Sequence, residues 1–257
     1  MQARPAGARR KVLLIPFSAP TQSRPFPFYV EGNGRLLHFD PARWALLLQV
    51  SLTNELDPVT GAGENRTMRI ITDFGTIPDR YAKRAPQSLT RKGRPVVSFP
   101  FRLEDVPQEA RFLHWMLVDP DSVPVCGFPW IHWSLANLPV DALAALQPDE
   151  ADSSVLAIPE DFSRNLPNLI PDVPQGRTSA ASPLVMEEEI ADDPAVLMRY
   201  NGPTPPDQVH DYVLSVWATK EALPNLEEGF WLNALVHAVH SAQPVAAAAR
   251  VWLPADA

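Results

Sequence analysis

A chain of 257 residues with 46% apolar content is long enough to bury one sizeable core, alone or with a small appendage. Its formal net charge of -8 argues against a nucleic-acid partner, because binding to phosphates without sequence preference needs clustered Lys and Arg. A single cysteine, Cys126, excludes an internal disulfide framework and suits a cytoplasmic location, which we expect. No apolar run approaches the roughly 20 residues of a membrane-spanning helix, so no transmembrane segment is predicted.

The character of the chain changes near residue 67. Residues 1–67 carry eight basic and five acidic side chains, whereas residues 68–257 carry 14 basic and 25 acidic ones. Scattered Pro and Gly without a sustained period mark the first region. We therefore predict an N-terminal extension over 1–67, either poorly ordered or an artefact of an upstream start site, followed by one domain over 68–257.

From Met68 onward the pattern predicts β-structure. The run from Phe112 to Val118 is continuously apolar apart from His114, as expected for a strand covered on both faces. Runs of similar character predict further strands over 68–72, 96–101, 133–138, 212–218 and 249–253. The connections are rich in proline, which lacks the ladder N–H and is confined to strand edges, turns and loops. Several strands with such connections favour an all-β sandwich or barrel.

One helix is predicted, over residues 229–241. Apolar residues recur there at i, i+3, i+4 and i+7, so they share one face that should pack against a sheet. These residues are Leu232, Leu235, Val236 and Val239. The same segment contains His237 and His240, three residues apart. Because no acid or cysteine nearby completes a ligand set, we expect structural or solvent-facing histidines rather than a metal site.

Polar side chains lie at the ends of two predicted strands. Asp119 and Asp121 directly follow the strand over 112–118, where loops collect binding groups. His132 lies between two tryptophans at the start of the next buried strand. Taken alone, Asp-Pro-Asp is more often a turn with solvated acids, and a single histidine in such a place is more often a core residue.

A second polar group follows a stiff loop. The loop from Gly202 to Pro206 has one glycine and three prolines, which limit its conformations and lower the ordering cost of binding. It leads to His210 and Tyr212 on another strand. With the two aspartates and His132, these side chains could bind an anion through protonated histidines, perform acid–base chemistry or hold a metal. The spacing alone does not choose among these alternatives.

Five short motifs follow one another between Asp119 and Tyr212. They are Asp119-Pro-Asp121, Trp130-Ile-His132-Trp133, Asn137-Leu-Pro139, Gln175-Gly-Arg177 and Gly202-Pro-x-Pro-Pro-x-x-x-His210-x-Tyr212. In this order they resemble the phosphatidylethanolamine-binding protein (PEBP) family, and in particular its bacterial YbhB/YbcL-type, Raf-kinase-inhibitor-like branch. The segment from Gly75 to Tyr81 resembles an early family segment, so the resemblance covers about Met68 to the end of the chain.

The resemblance implies a Greek-key antiparallel β-sandwich with a C-terminal helix and short peripheral helices. It also implies a small pocket at one end, where family members bind anionic groups such as phosphate-like head groups. The motif positions give the ligand-binding residues as Asp119, Asp121, His132, His210 and Tyr212, with Gly202 and Pro203 at the rim. One departure is Asp211, which stands where the family has a basic residue and makes this position less favourable for an anion.

We therefore interpret the chain as a PEBP-like module that binds a small anion without catalysis. Two alternatives stay open: a protein-interaction regulator of the kinase-inhibitor type, and a hydrolase that uses His132 or His210 as general base. No Gly-x-Ser-x-Gly elbow or reactive-cysteine context supports covalent catalysis. We expect no cofactor and no metal. The expected partners are a small anionic ligand and then another protein, and a homodimer is left open.

Overall fold

The computed structural model describes residues 67–147, 155–185, 187–242 and 246–257. The predicted N-terminal extension, apart from Thr67, lies outside these residues. All the segments predicted as strands or as a helix lie within them. The described residues belong to one compact unit that extends over 63–257.

The described residues form nine strands in three antiparallel sheets. The strands are β1 (Arg69–Ile71), β2 (Thr90–Arg91), β3 (Arg94–Pro95), β4 (Phe101–Glu104), β5 (Phe112–Asp119), β6 (Trp130–Pro139), β7 (Val155–Ile158), β8 (His210–Thr219) and β9 (Ala247–Ala255). One sheet has the order β1-β4-β7, the largest has the order β6-β5-β8-β9, and β2 forms a hairpin with β3. In the largest sheet β5 and β8 are the two inner strands.

Short helices connect the strands. Within the described ranges the α-helices are α1 (Val123–Cys126), α2 (Val140–Ala144), α3 (Phe162–Leu169), α4 (Pro194–Leu197) and α5 (Leu232–Ser241). Single 3-10 turns lie at Asp79–Tyr81, Gln87–Leu89, Ser179–Ala181 and Glu188–Ile190. None of these helices is long and apolar enough to cross a bilayer.

One hydrophobic core joins the three-stranded and four-stranded sheets. Alternate residues of β5, Leu113, Trp115 and Leu117, are fully buried in this core. The Trp115 ring lies edge-to-face against Phe101 of β4, at 5.7 Å, and against Trp133 of β6, at 5.0 Å. Such aromatic pairs add roughly 0.5–1.5 kcal/mol each beyond the area they bury. The contact with Phe101 therefore joins the two sheets, and the contact with Trp133 packs β5 against its neighbour in the same sheet.

The strands predicted over 68–72, 112–118, 133–138, 212–218 and 249–253 are confirmed. The strand predicted over 96–101 is wrong, because only Phe101 lies in a strand and residues 96–100 form an irregular connection. Its residues are mostly buried, which explains the apolar pattern. The proline at 100, inside the predicted strand, lacks the N–H that a ladder requires, which disfavours a sheet strand over this buried segment.

The helix predicted over 229–241 begins at Leu232 instead. Gly229 has a φ of 78°, a left-handed conformation that a right-handed helix does not allow. Of the predicted apolar stripe, Leu235 and Val239 are buried in one cluster with Ala136 of β6, and the other two members are half-buried. The prediction that this face packs against a sheet is confirmed.

The pairing of β5 with β6 contains a bulge that matters for the site. Leu117 lies opposite Trp133 and Val118 lies opposite Ile131, so His132 is an extra residue between two regular pairs. A bulge breaks the strict alternation of side chains and turns the extra residue toward a new direction. The direction of the His132 ring is therefore set by the bulge and not by the period of the strand.

Candidate functional site

The antiparallel register brings polar side chains together at one end of the four-stranded sheet. Asp119 ends β5, while His210 and Tyr212 begin β8 on one side of it. On the other side, Asp119 lies opposite Trp130 at the start of β6, two residues before His132. Four predicted ligand-binding residues therefore converge from three neighbouring strands.

These four side chains form a close and nearly buried cluster. The rings of His132 and Tyr212 lie 5.0 Å apart in an edge-to-face arrangement, and those of His210 and Tyr212 lie 6.5 Å apart. Asp119, His132, His210 and Tyr212 are 4%, 3%, 1% and 0% exposed. Charges and hydrogen bonds inside such a cluster act more strongly than at the surface, because little water screens them.

His210 is held between two carboxylates. Its Nδ1 lies 2.8 Å from Oδ2 of Asp119, and its Nε2 lies 3.0 Å from Oδ1 of Asp207. Since ionised carboxylates only accept hydrogen bonds, both ring nitrogens carry a proton. Burial by itself lowers the pKa of His210, but the hydrogen bonds and charges of Asp119 and Asp207 outweigh burial and raise it. His210 is thus an imidazolium whose positive charge is already shared by two acids.

His132 has the opposite protonation. Its Nδ1 donates to the backbone oxygen of Asn201 at 2.5 Å, and a carbonyl oxygen can only accept, so the neutral ring leaves a lone pair on Nε2. Burial lowers the pKa of His132 to about 4, although the bond to Asn201 and the charge of Asp119 oppose this. Nε2 has no hydrogen-bond partner among the described residues. At neutral pH His132 therefore presents an acceptor to any ligand.

Two buried donors near His132 lack partners. The Tyr212 hydroxyl and the Nδ2 of Asn201 are both buried, and neither makes a hydrogen bond of regular geometry to the described residues. Burial raises the pKa of Tyr212, and so do the charge of Asp119, a weak hydrogen bond that the hydroxyl donates to Asp119, and the charge of Asp121, so this hydroxyl keeps its proton. Buried polar groups are nearly always hydrogen-bonded, and an unpaired one calls for an explanation.

Asp121, the fifth of the predicted polar residues, lies beside the cluster and is held by the main chain. Its Oδ2 accepts the backbone N–H of Asp211 at 2.9 Å, and the side chain is half-buried. It therefore fixes the start of β8 through the main chain, next to the cluster, and its charge reaches Tyr212. Ser122 gives further support, because its backbone N–H donates to Oδ1 of Asp119 at 3.0 Å.

Gly202 and Pro203 are buried beside the cluster. The N–H of Gly202 donates to the oxygen of Pro95 at 2.8 Å. The preceding residue, Asn201, donates its own N–H to the oxygen of His132 at 2.9 Å. This segment therefore joins the β2–β3 hairpin to the bulge that carries His132.

We expect the Gly202→Ala substitution to destabilise the protein by about 1–3 kcal/mol, as overpacking does. A Cβ at this position would lie 2.2 Å from the oxygen of Tyr81 and 2.7 Å from Cβ of Pro95, so the backbone would have to move. Gly75→Ala is the matched control, because no atom lies within 4 Å of a Cβ there, and it should change stability by less than about 0.5 kcal/mol. Chemical denaturation of both variants tests this prediction, which equal midpoints would contradict.

Three residues of the site were not predicted from the sequence. Asp207 and Asn201 contact His210 and His132, and Ser122 braces Asp119. Asp207 lies three residues before His210 in the motif that carried the resemblance, and that spacing is a usable signal. Asn201 acts through its backbone oxygen, for which the sequence gives no signal.

Other features of the described residues do not add to this site. Two cavities, of about 380 and 330 Å³, lie beside α5, one bordered by Trp231 and the other by Leu223. Neither is lined by a predicted ligand-binding residue. His237 and His240 are exposed. Within the described ranges no group of three or more His, Cys, Asp or Glu side chains is arranged to hold a metal.

The fold and the cluster define a mostly β protein with several short helices and a polar site where strands β5, β6 and β8 end or begin. A family model described as phosphatidylethanolamine-binding protein matches residues 67–250, and the chain belongs to this family. The resemblance to this family, stated from the motifs, is confirmed.

The chain is similar in sequence to one known protein and in fold to another. It is 40% identical to the uncharacterized protein YxkA of Bacillus subtilis over 157 residues, which are 61% of this chain and 81% of the relative. Its fold is similar to that of E. coli YbcL, described as a new member of the mammalian PEBP family. The TM-score is 0.52 at 16% identity, over 75% of this chain and 99% of YbcL. At that identity the likeness concerns the fold alone.

Proposed function

We propose that this chain is a binding module for a small anion of the phosphate head-group type and does not catalyse a reaction on it. The observation that carries the proposal is the buried Tyr212 hydroxyl without a partner, 5.0 Å from His132 between the ring centres. A phosphate oxygen is an acceptor that would satisfy this donor. The family description, phosphatidylethanolamine-binding protein, supports the same ligand chemistry.

The protonation states around Tyr212 allow an anion to bind if a proton is taken up with it. Neutral His132 offers only an acceptor at Nε2, so an anionic oxygen can bind there only if it brings a proton or if His132 takes one up. Asp119 would otherwise repel an anion, but His210 already neutralises it. The amide of Asn201 supplies a further unpaired donor. Binding is therefore expected to be coupled to uptake of a proton.

The same geometry favours binding over hydrolysis. A general base needs a free lone pair, and both nitrogens of His210 are donors to carboxylates. His132 has a free lone pair, but a pKa of about 4 makes it a weak base at neutral pH. These features support a module that holds its ligand through fixed donors.

The low exposure of the cluster supports a small ligand or a small head group. The four side chains are at most 4% exposed, so only a compact group can reach Tyr212 without large rearrangement.

We also propose that the strands form a Greek-key sandwich. It is supported by the order β6-β5-β8-β9, in which β5 and β8 pair although they are distant in the sequence.

Inorganic phosphate should raise the melting temperature more at about pH 5.5 than at about pH 8. The reason is that binding takes up a proton near His132, so affinity rises as the pH falls toward the pKa of about 4. Thermal denaturation with and without phosphate at each pH measures the shift, and the Tyr212→Phe variant controls for general salt effects. A shift that is absent at both pH values, or equal in that variant, would rule the proposal out.

A further inference from the structure

The cluster around Tyr212 has too little free positive charge for an anion. The one imidazolium, at His210, already faces Asp119 and Asp207, and Asp121 lies near Tyr212. The position next to His210 is the exposed acid Asp211. Apart from a proton taken up by His132 on binding, the cluster offers no free cation, so a cation from elsewhere in the protein would strengthen the binding of an anion.

Arg94 is placed to supply it. This residue begins β3, and the next residue, Pro95, accepts the N–H of Gly202 at 2.8 Å. Gly202 follows Asn201, which bonds to His132 through both its N–H and its oxygen. Two backbone hydrogen bonds therefore connect the residue next to Arg94 to the segment that holds His132. The charge of Arg94 is felt there, since it contributes to the lowered pKa of His132.

Arg94 is also easier to release than its neighbour in the hairpin. Its guanidinium pairs at 2.5 Å with Glu187, whose side chain is 56% exposed. Arg91, on the other strand of the hairpin, pairs instead with Asp193, which is 2% exposed and would keep only a longer contact of 3.7 Å with Lys92. Exposed ion pairs contribute little to stability, whereas a buried carboxylate strongly resists the loss of its partner. An exchange of partners is therefore available to Arg94 and not to Arg91.

We propose that Arg94 is an additional ligand-binding residue. When the anion binds, the Arg94 guanidinium breaks its ion pair with Glu187 and pairs with the anion instead. Glu187 is then an internal competitor that occupies Arg94 when no ligand is present. This inference rests on the proposed function. It identifies Arg94 as the source of a positive charge that can turn to the anion, since the imidazolium of His210 is already paired with two acids.

The test is a double-mutant cycle on the affinity for inorganic phosphate, measured by calorimetry at mildly acidic pH. Arg94→Gln should weaken binding roughly tenfold, the loss of one charged hydrogen-bond partner, while Arg94→Lys should keep part of the affinity. Glu187→Gln should strengthen binding severalfold, because it removes the competitor. In the double variant the gain from Glu187→Gln should disappear. Arg84→Gln is the control, since Arg84 is an arginine on the exposed surface that is likewise paired with acids, Asp79 and Asp256.

The outcomes separate this inference from the proposed function. If the wild type binds phosphate and Arg94→Gln binds it equally well, the role of Arg94 is wrong and the proposed function stands. If Glu187→Gln strengthens binding as much without Arg94 as with it, Glu187 acts by simple repulsion and the exchange is wrong. If the wild type binds no phosphate while folded, the proposed function fails and this inference fails with it. Thermal melting of each variant confirms that it is folded.

Discussion

Tyr212→Phe should leave the fold intact and reduce the affinity for phosphate by roughly 10- to 150-fold. The size of the effect is that of a hydrogen bond to a charged group, about 1.5–3 kcal/mol. Without ligand the change should be neutral or slightly stabilising, because the hydroxyl it removes is buried and unpaired. Calorimetric titration and chemical denaturation of the same samples measure both effects.

Tyr200→Phe is the matched control for this prediction. Tyr200 is also fully buried, but its hydroxyl donates to the oxygen of Tyr81 at 2.9 Å. Its removal should destabilise the protein by about 1 kcal/mol and leave phosphate affinity unchanged. The two tyrosines should thus show opposite patterns. A Tyr212→Phe variant that loses stability and keeps its affinity would mean that the hydroxyl has a structural role only.

Asp119→Asn should destabilise the protein by about 3–5 kcal/mol near neutral pH, as the loss of one partner of a buried ion pair does. Asp119 and His210 are 4% and 1% exposed, and their atoms lie 2.8 Å apart. The change leaves a buried imidazolium with one carboxylate fewer. Asp207→Asn is the control, since it contacts the same histidine from a side chain that is 55% exposed, and its effect should be much smaller.

The effect of Asp119→Asn should depend on pH in a defined direction. The folded-state pKa of His210 lies above its ordinary value of 6.5, so stability from the imidazolium is fully present below pH 6.5. It is lost as the pH rises through the folded-state pKa. The difference in the free energy of unfolding between wild type and Asp119→Asn should therefore shrink at alkaline pH. A difference that grows with pH would show that His210 is not the charged partner.

The sequence predicts the inner strands of the large sheet well because most of their residues are buried. The apolar runs of β5 and β8 reflect strands with a neighbour along each edge, and their bounds are close to those predicted. The buried segment at 96–100 has the same apolar character without a ladder. An apolar run therefore indicates burial and does not show whether the backbone pairs in a sheet. Proline is the main residue type in the sequence that indicates where such pairing is interrupted.

The residues of the candidate site can be predicted from the sequence where they lie at strand ends. They cannot be predicted where their position depends on the geometry of the backbone. Asp119, His210 and Tyr212 lie next to long apolar runs, which an antiparallel sheet brings to one end. His132 reaches the same place through a bulge, which a period of two does not reveal. The role of Arg94 depends on a hairpin of only two residue pairs, too short to give a signal. Family motifs therefore supplied what local pattern could not.

A crystal structure of the protein at mildly acidic pH in the presence of inorganic phosphate tests the central claim most directly. Our account predicts a phosphate oxygen within about 2.7–3.0 Å of the Tyr212 hydroxyl, with a second one at Nε2 of His132. A phosphate bound only elsewhere, with the Tyr212 hydroxyl bonded to water, would contradict it.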